Sequence, residues 1–88
     1  MIIRIKDVTP LDNYVLLVSF DDGRVVYYDM NEDIETMPDY CDLKNIYGLW
    51  QQVQIDTSRT YIYWNDYIDL ASDTLYEYGT DVNSNSRG

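Results

Sequence analysis

Hydrophobic and polar positions alternate over the first third of the chain. From Ile2 to Val8, Ile3 and Ile5 point one way while Arg4 and Lys6 point the other, which predicts a half-buried strand. Thr9-Pro10 is expected to end it, because proline has no amide hydrogen to give to a ladder. Tyr14–Phe20 and Arg24–Met30 are rich in β-branched and aromatic residues and flank Asp22-Gly23. Asp-Gly favours a two-residue type I′ turn, whose two central residues both need positive φ. The predicted hairpin sets Asp21 opposite Arg24, Phe20 opposite Val25, Val18 opposite Tyr27 and Leu16 opposite Asp29. Asp21 and Asp22 then serve the turn, with Asp21 pairing Arg24 across it.

That register leaves both faces apolar: Tyr14, Leu16, Val18, Phe20, Val25 and Tyr27 on one, Val15, Leu17, Val26, Tyr28 and Met30 on the other. An antiparallel sheet with one wet face alternates more cleanly. Either other parts of the chain cover the second face, the simpler alternative, or a partner does.

Beyond the hairpin the pattern loosens. Residues 31–42 predict an acidic loop, interrupted by Pro38, with room for a helical turn. Asp42 is placed to cap a short helix over Leu43–Gln51, with Ile46, Leu49 and Trp50 on one face and Gly48 weakening it. Val53 and Ile55 alternate with Gln52 and Gln54 as a fourth strand; after a turn at Asp56–Arg59, Thr60–Trp64 makes a fifth. Asn65–Asp69 is expected to loop toward a last helical turn through Leu70 and Leu75-Tyr76. The expectation is an α+β fold, a small antiparallel five-stranded sheet with one or two short helices. It forms a single domain over residues 1–79, followed by a disordered tail over 80–88 rich in Asn, Ser and Gly.

Charge changes this picture most. Sixteen acids stand against six bases, with no histidine, for a formal net charge of −10. Nucleic acid and anionic membrane are binding partners of clustered Lys and Arg, so neither is expected here. A basic protein would be attracted; the plainer alternative is that charge keeps a small domain soluble and monomeric. The acids are bunched. Asp29, Glu32, Asp33, Glu35, Asp39 and Asp42 form one run, and Asp66, Asp69, Asp73, Glu77 and Asp81 a second. No apolar run approaches the ~20 residues that span a bilayer, and the N-terminal MIIRIKDV does not read as a signal peptide. Cys41 is the sole cysteine and no glycosylation sequon occurs, so a reducing cytoplasm is the expected compartment.

Candidate chemistry thins out on inspection. Asp29-Met30-Asn31-Glu32-Asp33 starts like a calcium loop, but Ile34 stands where glycine is needed and Tyr40 where the closing glutamate belongs. Without histidine, Cys41 has no base to make it a thiolate, and a transition-metal site lacks ligands. No glycine-rich phosphate loop is present. The expectation is a non-enzymatic protein with no cofactor and no metal site.

The aromatic residues remain: ten tyrosines and two tryptophans. Tyr61 and Tyr63 share one face of the last predicted strand, Ile62 and Trp64 the other. Tyrosines suit interfaces, because two stiff torsions carry a large amphipathic area. They also finish small cores with their tips in water, which is the reading preferred for Trp50 and Trp64.

The succession Pro10-Leu11, Tyr14, Leu16, Phe20, Asp22-Gly23, Asp29, Leu43, Trp50, Val53, Asp56, Ile62, Trp64, Asp69-Leu70 and Leu75-Tyr76 resembles the bacterial family called domain of unknown function 2442. The likeness covers about residues 3–78 and rests on order and spacing rather than on one motif. It implies a small α+β domain similar to the N-terminal domain of members that carry an appended helix-turn-helix. This chain shows no such appendage, so direct DNA binding does not carry over. Family genes often neighbour a small toxin-like protein, which implies an antitoxin-like or accessory role. One departure is local: the loop after the last strand usually holds a glycine near the aspartate, and here it reads Trp64-Asn65-Asp66-Tyr67-Ile68-Asp69.

The functional expectation is a protein-binding domain, monomeric or weakly dimeric, that engages a basic partner through Glu32, Asp33, Glu35, Asp39, Tyr61, Tyr63, Asp66, Tyr67 and Asp69. An acidic DNA-mimic inhibitor of a nucleic-acid enzyme, of the phage or anti-CRISPR kind, is the alternative.

Overall fold

The strand pattern is realised as two antiparallel sheets. The computed structural model describes residues 2–82, and the fold is α+β. β1 (Ile5–Pro10), β2 (Val15–Phe20), β3 (Val25–Asp29) and β7 (Thr80–Asp81) lie side by side in that order, and β4 (Gln54–Ile55), β5 (Tyr61–Asn65) and β6 (Ile68–Ala71) form the second sheet. Three short α-helices lie among the described residues, α1 (Asn31–Thr36), α2 (Asp42–Asn45) and α3 (Ser72–Tyr78), with short 3-10 turns between elements. Among the described residues the count is therefore seven strands in two sheets rather than five in one.

The β2–β3 hairpin corrects the expected register by one residue. The Phe20 amide donates to the Arg24 carbonyl at 2.9 Å, and the Gly23 amide donates back to the Phe20 carbonyl at 3.0 Å. The loop is thus Asp21-Asp22-Gly23, three residues, with Gly23 at φ 95° taking the left-handed position that closes such loops. The Asp22 carboxylate accepts from the Arg24 amide at 2.9 Å, a bond inside the loop that favours the three-residue form. Val18 now faces Val26, and Leu16 faces Tyr28. A one-residue slip moves a whole strand's side chains to the other face. Leu16, Val18 and Phe20 therefore share the core side with Val26, Met30 and the half-buried Tyr28. The outer side keeps Val15, Leu17, Ser19 and Val25 half-buried and Tyr27 exposed. In this register too both faces are apolar, the outer one through Val15, Leu17, Val25 and Tyr27.

β1 runs through Thr9-Pro10 instead of stopping there. It is an edge strand, where a missing amide hydrogen breaks no ladder, and a bulge between Ile5 and Asp7 blunts that edge further. The predicted helix over Leu43–Gln51 is broken. α2 ends at Asn45, Gly48 turns the chain with φ 82°, and a 3-10 turn over Trp50–Gln52 follows. Ile46, assigned to the buried face, is exposed in the break, and the Asp42 side chain makes no capping bond. The acidic stretch 31–42 holds α1 and a 3-10 turn over Pro38–Cys41, more helix than the single turn allowed for in that loop.

Both sheets and all three helices contribute to one core. Ile5, Leu16, Phe20, Met30, Leu43, Ile62, Ile68 and Leu75 are fully buried within it. Trp50 and Trp64 stack at 5.7 Å between centroids. Their ring nitrogens are both satisfied, Trp50 donating to the Leu11 carbonyl at 2.8 Å and Trp64 to the Trp50 carbonyl at 3.1 Å. The sheets are tied through the segments beside them: the Ile5 amide of β1 donates to the Arg59 carbonyl in the β4–β5 loop, and the buried Ser72 hydroxyl of α3 to the Ile3 carbonyl at 2.6 Å. Gly79 brings the chain back to β3. A Cβ there would sit 2.6 Å from both the Val26 side chain and the Leu75 carbonyl oxygen. Thr80 and Asp81, expected in the tail, pair with Tyr27 and Val26. The rest of the expected tail from residue 83 lies outside the described residues.

Candidate functional site

The second sheet has an outer face built by strand alternation. Ile62 and Trp64 point into the core, so Tyr61 and Tyr63 point out, with ring centroids 6.1 Å apart. Asp69 of β6 lies directly opposite Tyr63, and Gln54 of β4 flanks it on the other side. The β5–β6 turn is tight because the Asn65 side-chain oxygen accepts from the Tyr67 and Ile68 amides at 2.8 and 3.0 Å. That turn brings Asp66 back toward the tyrosines. Asp56, Tyr61, Tyr63, Asn65, Asp66 and Asp69 together line an open cleft of about 340 Å³.

Asp56 and Asn65 are members that sequence reasoning passed over. The sequence pattern marks Asp56 only as a turn residue, and it is that too. Its carboxylate accepts from the Ser58 hydroxyl at 2.6 Å and the Ser58 amide at 2.9 Å. Those Ser58 bonds, with a smaller contribution from the Tyr61 hydroxyl, hold its carboxyl below the usual range. The Tyr61 hydroxyl is pushed up in return, first by its hydrogen bond to Asp56 and then by that carboxylate's charge.

Asp69 links this cleft to the first acidic run. Its backbone carbonyl accepts from the Tyr40 hydroxyl at 2.6 Å. Burial raises the Tyr40 hydroxyl first, and the charges of Asp69, Asp33 and Asp39 raise it further. Asp33 in turn accepts from the Tyr28 hydroxyl at 3.2 Å. Tyr28 is pushed up to about 12, by burial first and by Asp33 second. The two acidic runs, separated in sequence, thus meet around Tyr40. Carboxylates from α1, from the Pro38–Cys41 turn and from β6 act on one phenol.

The remaining expected residues fall around this centre. Glu32 and Asp33 line a separate concavity with Tyr27, Tyr28, Asp29 and Tyr78 beside the end of the first sheet. Glu35 is exposed on α1, and Tyr67 is exposed at the turn without lining the cleft. Among the described residues, no group of three or more Asp, Glu or Cys is arranged to hold a metal ion. No helix among them is long and apolar enough to cross a membrane.

The bases among the described residues lie elsewhere. Arg4, Lys6, Arg24 and Arg59 gather around the hairpin tip and the start of β1, while Lys44 sits over the Tyr14 ring at 5.6 Å. Asp21 pairs with Arg59 at 2.8 Å, and not with Arg24 as the two-residue turn implied. Arg24 instead lies over the Tyr76 ring at 4.7 Å, whose hydroxyl donates to Asp22 at 2.6 Å.

A family model described as Protein of unknown function (DUF2442) matches residues 5–81 of the chain. No curated protein and no solved structure matches it.

Proposed function

The chain belongs to the family of proteins of unknown function DUF2442, and from its charge layout we propose that it is a non-enzymatic binding domain for a basic protein. One observation carries this reading: the two acidic runs converge around Tyr40 and Asp69, and the charges acting there are all negative. The carboxylates of Asp39, Asp66 and Asp69 accept no hydrogen bond from a side chain among the described residues, which leaves them open to a cationic partner. Complementary charge steers association and fixes orientation, and the exposed tyrosines add contact area. An antitoxin-like or accessory role fits such a surface. So does a decoy that occupies the DNA-binding face of a nucleic-acid enzyme.

The test is affinity capture at low and at high salt, with nuclease added to remove bridging DNA and RNA. The reading expects a basic protein retained at low salt and released at high salt. It expects retention to fall when Asp39 and Asp69 are both changed to Asn. Retention that ignores both changes would overturn it. Competition by added duplex DNA would mark the partner as a nucleic-acid enzyme; no competition would mark a toxin-like protein.

A further inference from the structure

The first sheet is apolar on both sides, but the described helices and the second sheet cover only one of them. Ile34 of α1, Leu43 of α2, Leu75 of α3 and Ile62 of β5 all join Leu16 and Val18 in the core on the inner side. Val15, Leu17 and Val25 take no part in that core, and they lie half-buried on the outer side with Tyr27 exposed beside them. An antiparallel sheet with one wet face normally turns polar residues outward. In the register the outer positions around these four are Asp7, Thr9, Ser19, Asp29 and Thr80, none of them basic; Lys6 lies at the β1 bulge, outside the register. At its α1 end the face opens into a concavity of about 470 Å³, where Glu32 and Asp33 stand with Val15, Tyr27 and the exposed Tyr78. The Glu32 carboxylate accepts no hydrogen bond from a side chain among the described residues.

The sheet edges resist an added strand, because β1 carries a bulge and Pro10 and β7 is two residues long. An occupant therefore lies across the face. A second copy would bring another chain of net charge −10 onto a face bordered by acids, and an anionic membrane is repelled in the same way. A helix is about 10 Å wide and covers two strands about 4.8 Å apart; β2 and β3 carry all four apolar residues. We propose that this outer face docks one basic amphipathic helix of the protein partner, its apolar stripe over Leu17, Val25 and Tyr27 and its lysines and arginines entering the concavity beside Glu32. This rests on the reading of the domain as a receptor for a basic protein, and it adds to that reading a specific apolar contact beside the first acidic run.

The experiment titrates the full chain with a synthetic peptide of about 18 residues, long enough to form a helix on the face, with leucines at helical spacing and lysines and arginines elsewhere. A peptide of the same composition, reordered so that no apolar stripe forms, is the comparison. NMR of backbone amides and methyl groups follows both. The expected result is saturable movement at Leu17, Val25 and Tyr27, with the striped peptide binding at least about fivefold more tightly than the reordered one. Leu17→Thr and the exposed-site change Tyr27→Thr each remove that preference, whereas Tyr47→Ser, the loss of an exposed tyrosine beside the Gly48 turn, keeps it. Glu32→Gln weakens both peptides at low salt. Equal binding of the two peptides, or movement that leaves Leu17 and Val25 untouched, would overturn the docking face. Concentration-dependent self-association through Leu17 and Tyr27 would give the face to a second copy, and contacts from residues 83–88 to Leu17 would give it to the chain's own end; either result also overturns it. If the docking face fails while salt-sensitive capture still depends on Asp39 and Asp69, the broader reading stands without it. If that capture fails as well, both fall.

Discussion

Two ends of this molecule hold acids in opposite circumstances. At the hairpin tip, Asp21 pairs with Arg59, and Asp22 takes the Tyr76 hydroxyl and the Arg24 amide. The Tyr76 bond, with the Arg24 amide behind it, holds the Asp22 carboxyl below its ordinary range. Around Tyr40 the acids crowd one phenol with no base among the charges acting on it. Near the tip a carboxylate joins β1, the β2–β3 loop and the β4–β5 loop; around Tyr40 carboxylates oppose one another. Net charge alone does not separate these roles. What separates Asp21 and Asp22 from Asp39 and Asp69 is whether the fold supplies the carboxylate with a donor.

Stability should respond most at the tip. Arg59→Met removes the ion pair with Asp21 and the weaker guanidinium bond to the Ile5 carbonyl. Because the pair is nearly half exposed, with side-chain exposures of 43% and 45%, the expected loss is up to ~1 kcal/mol. In a domain of this size that is roughly 4–8 °C in Tm. The matching change around Tyr40, Asp39→Asn, should leave Tm level or raise it slightly at low salt. Thermal melts of the two variants check this, and an equal loss in both would erase the distinction.

A smaller effect is expected at high pH. Tyr28 is pushed up to about 12 from an ordinary value of 10, by burial and then by Asp33. A raised folded value means that the folded state holds the proton more strongly. That contribution is complete below pH 10 and is lost as pH rises from 10 toward 12. Tyrosinate absorbance should show Tyr28 among the last phenols to ionise, and Asp33→Asn should bring it earlier. An unchanged titration in that variant would separate Tyr28 from the acidic cluster.

The sequence showed some of this and hid the rest for identifiable reasons. β2, β3 and β5 were legible because β-branched and aromatic residues fill them, and Ile62 and Trp64 fixed which way Tyr61 and Tyr63 would point. The register of β2 against β3 was not legible. Asp-Gly serves both a two-residue loop and the end of a three-residue one, and the choice turns on the Asp22 side chain accepting from the Arg24 amide. β6 was missed because its turn is closed by the Asn65 side chain rather than by glycine. The pattern over 31–42 shows no more than a helical turn in a loop, because the acids of α1 mask Ile34, the one buried position that anchors it. For the candidate site, the two acidic runs were visible as runs. Their meeting was not, since it depends on the Tyr40 hydroxyl reaching the Asp69 carbonyl across 29 residues of sequence. Asp56 looked like a turn residue because its carboxylate does turn the chain while also lining the cleft.

The central claim is that acids without an internal donor form the binding surface and acids with one hold the fold. Its most direct test compares two double variants of identical charge, Asp21→Asn/Asp22→Asn and Asp39→Asn/Asp69→Asn, for Tm and for calorimetric binding of a short arginine-rich peptide. The claim predicts that the tip pair lowers Tm and keeps the peptide, while the Tyr40-side pair keeps Tm and weakens the peptide at least about tenfold at low salt. Equal weakening by both pairs would show that only total charge matters, and would contradict it.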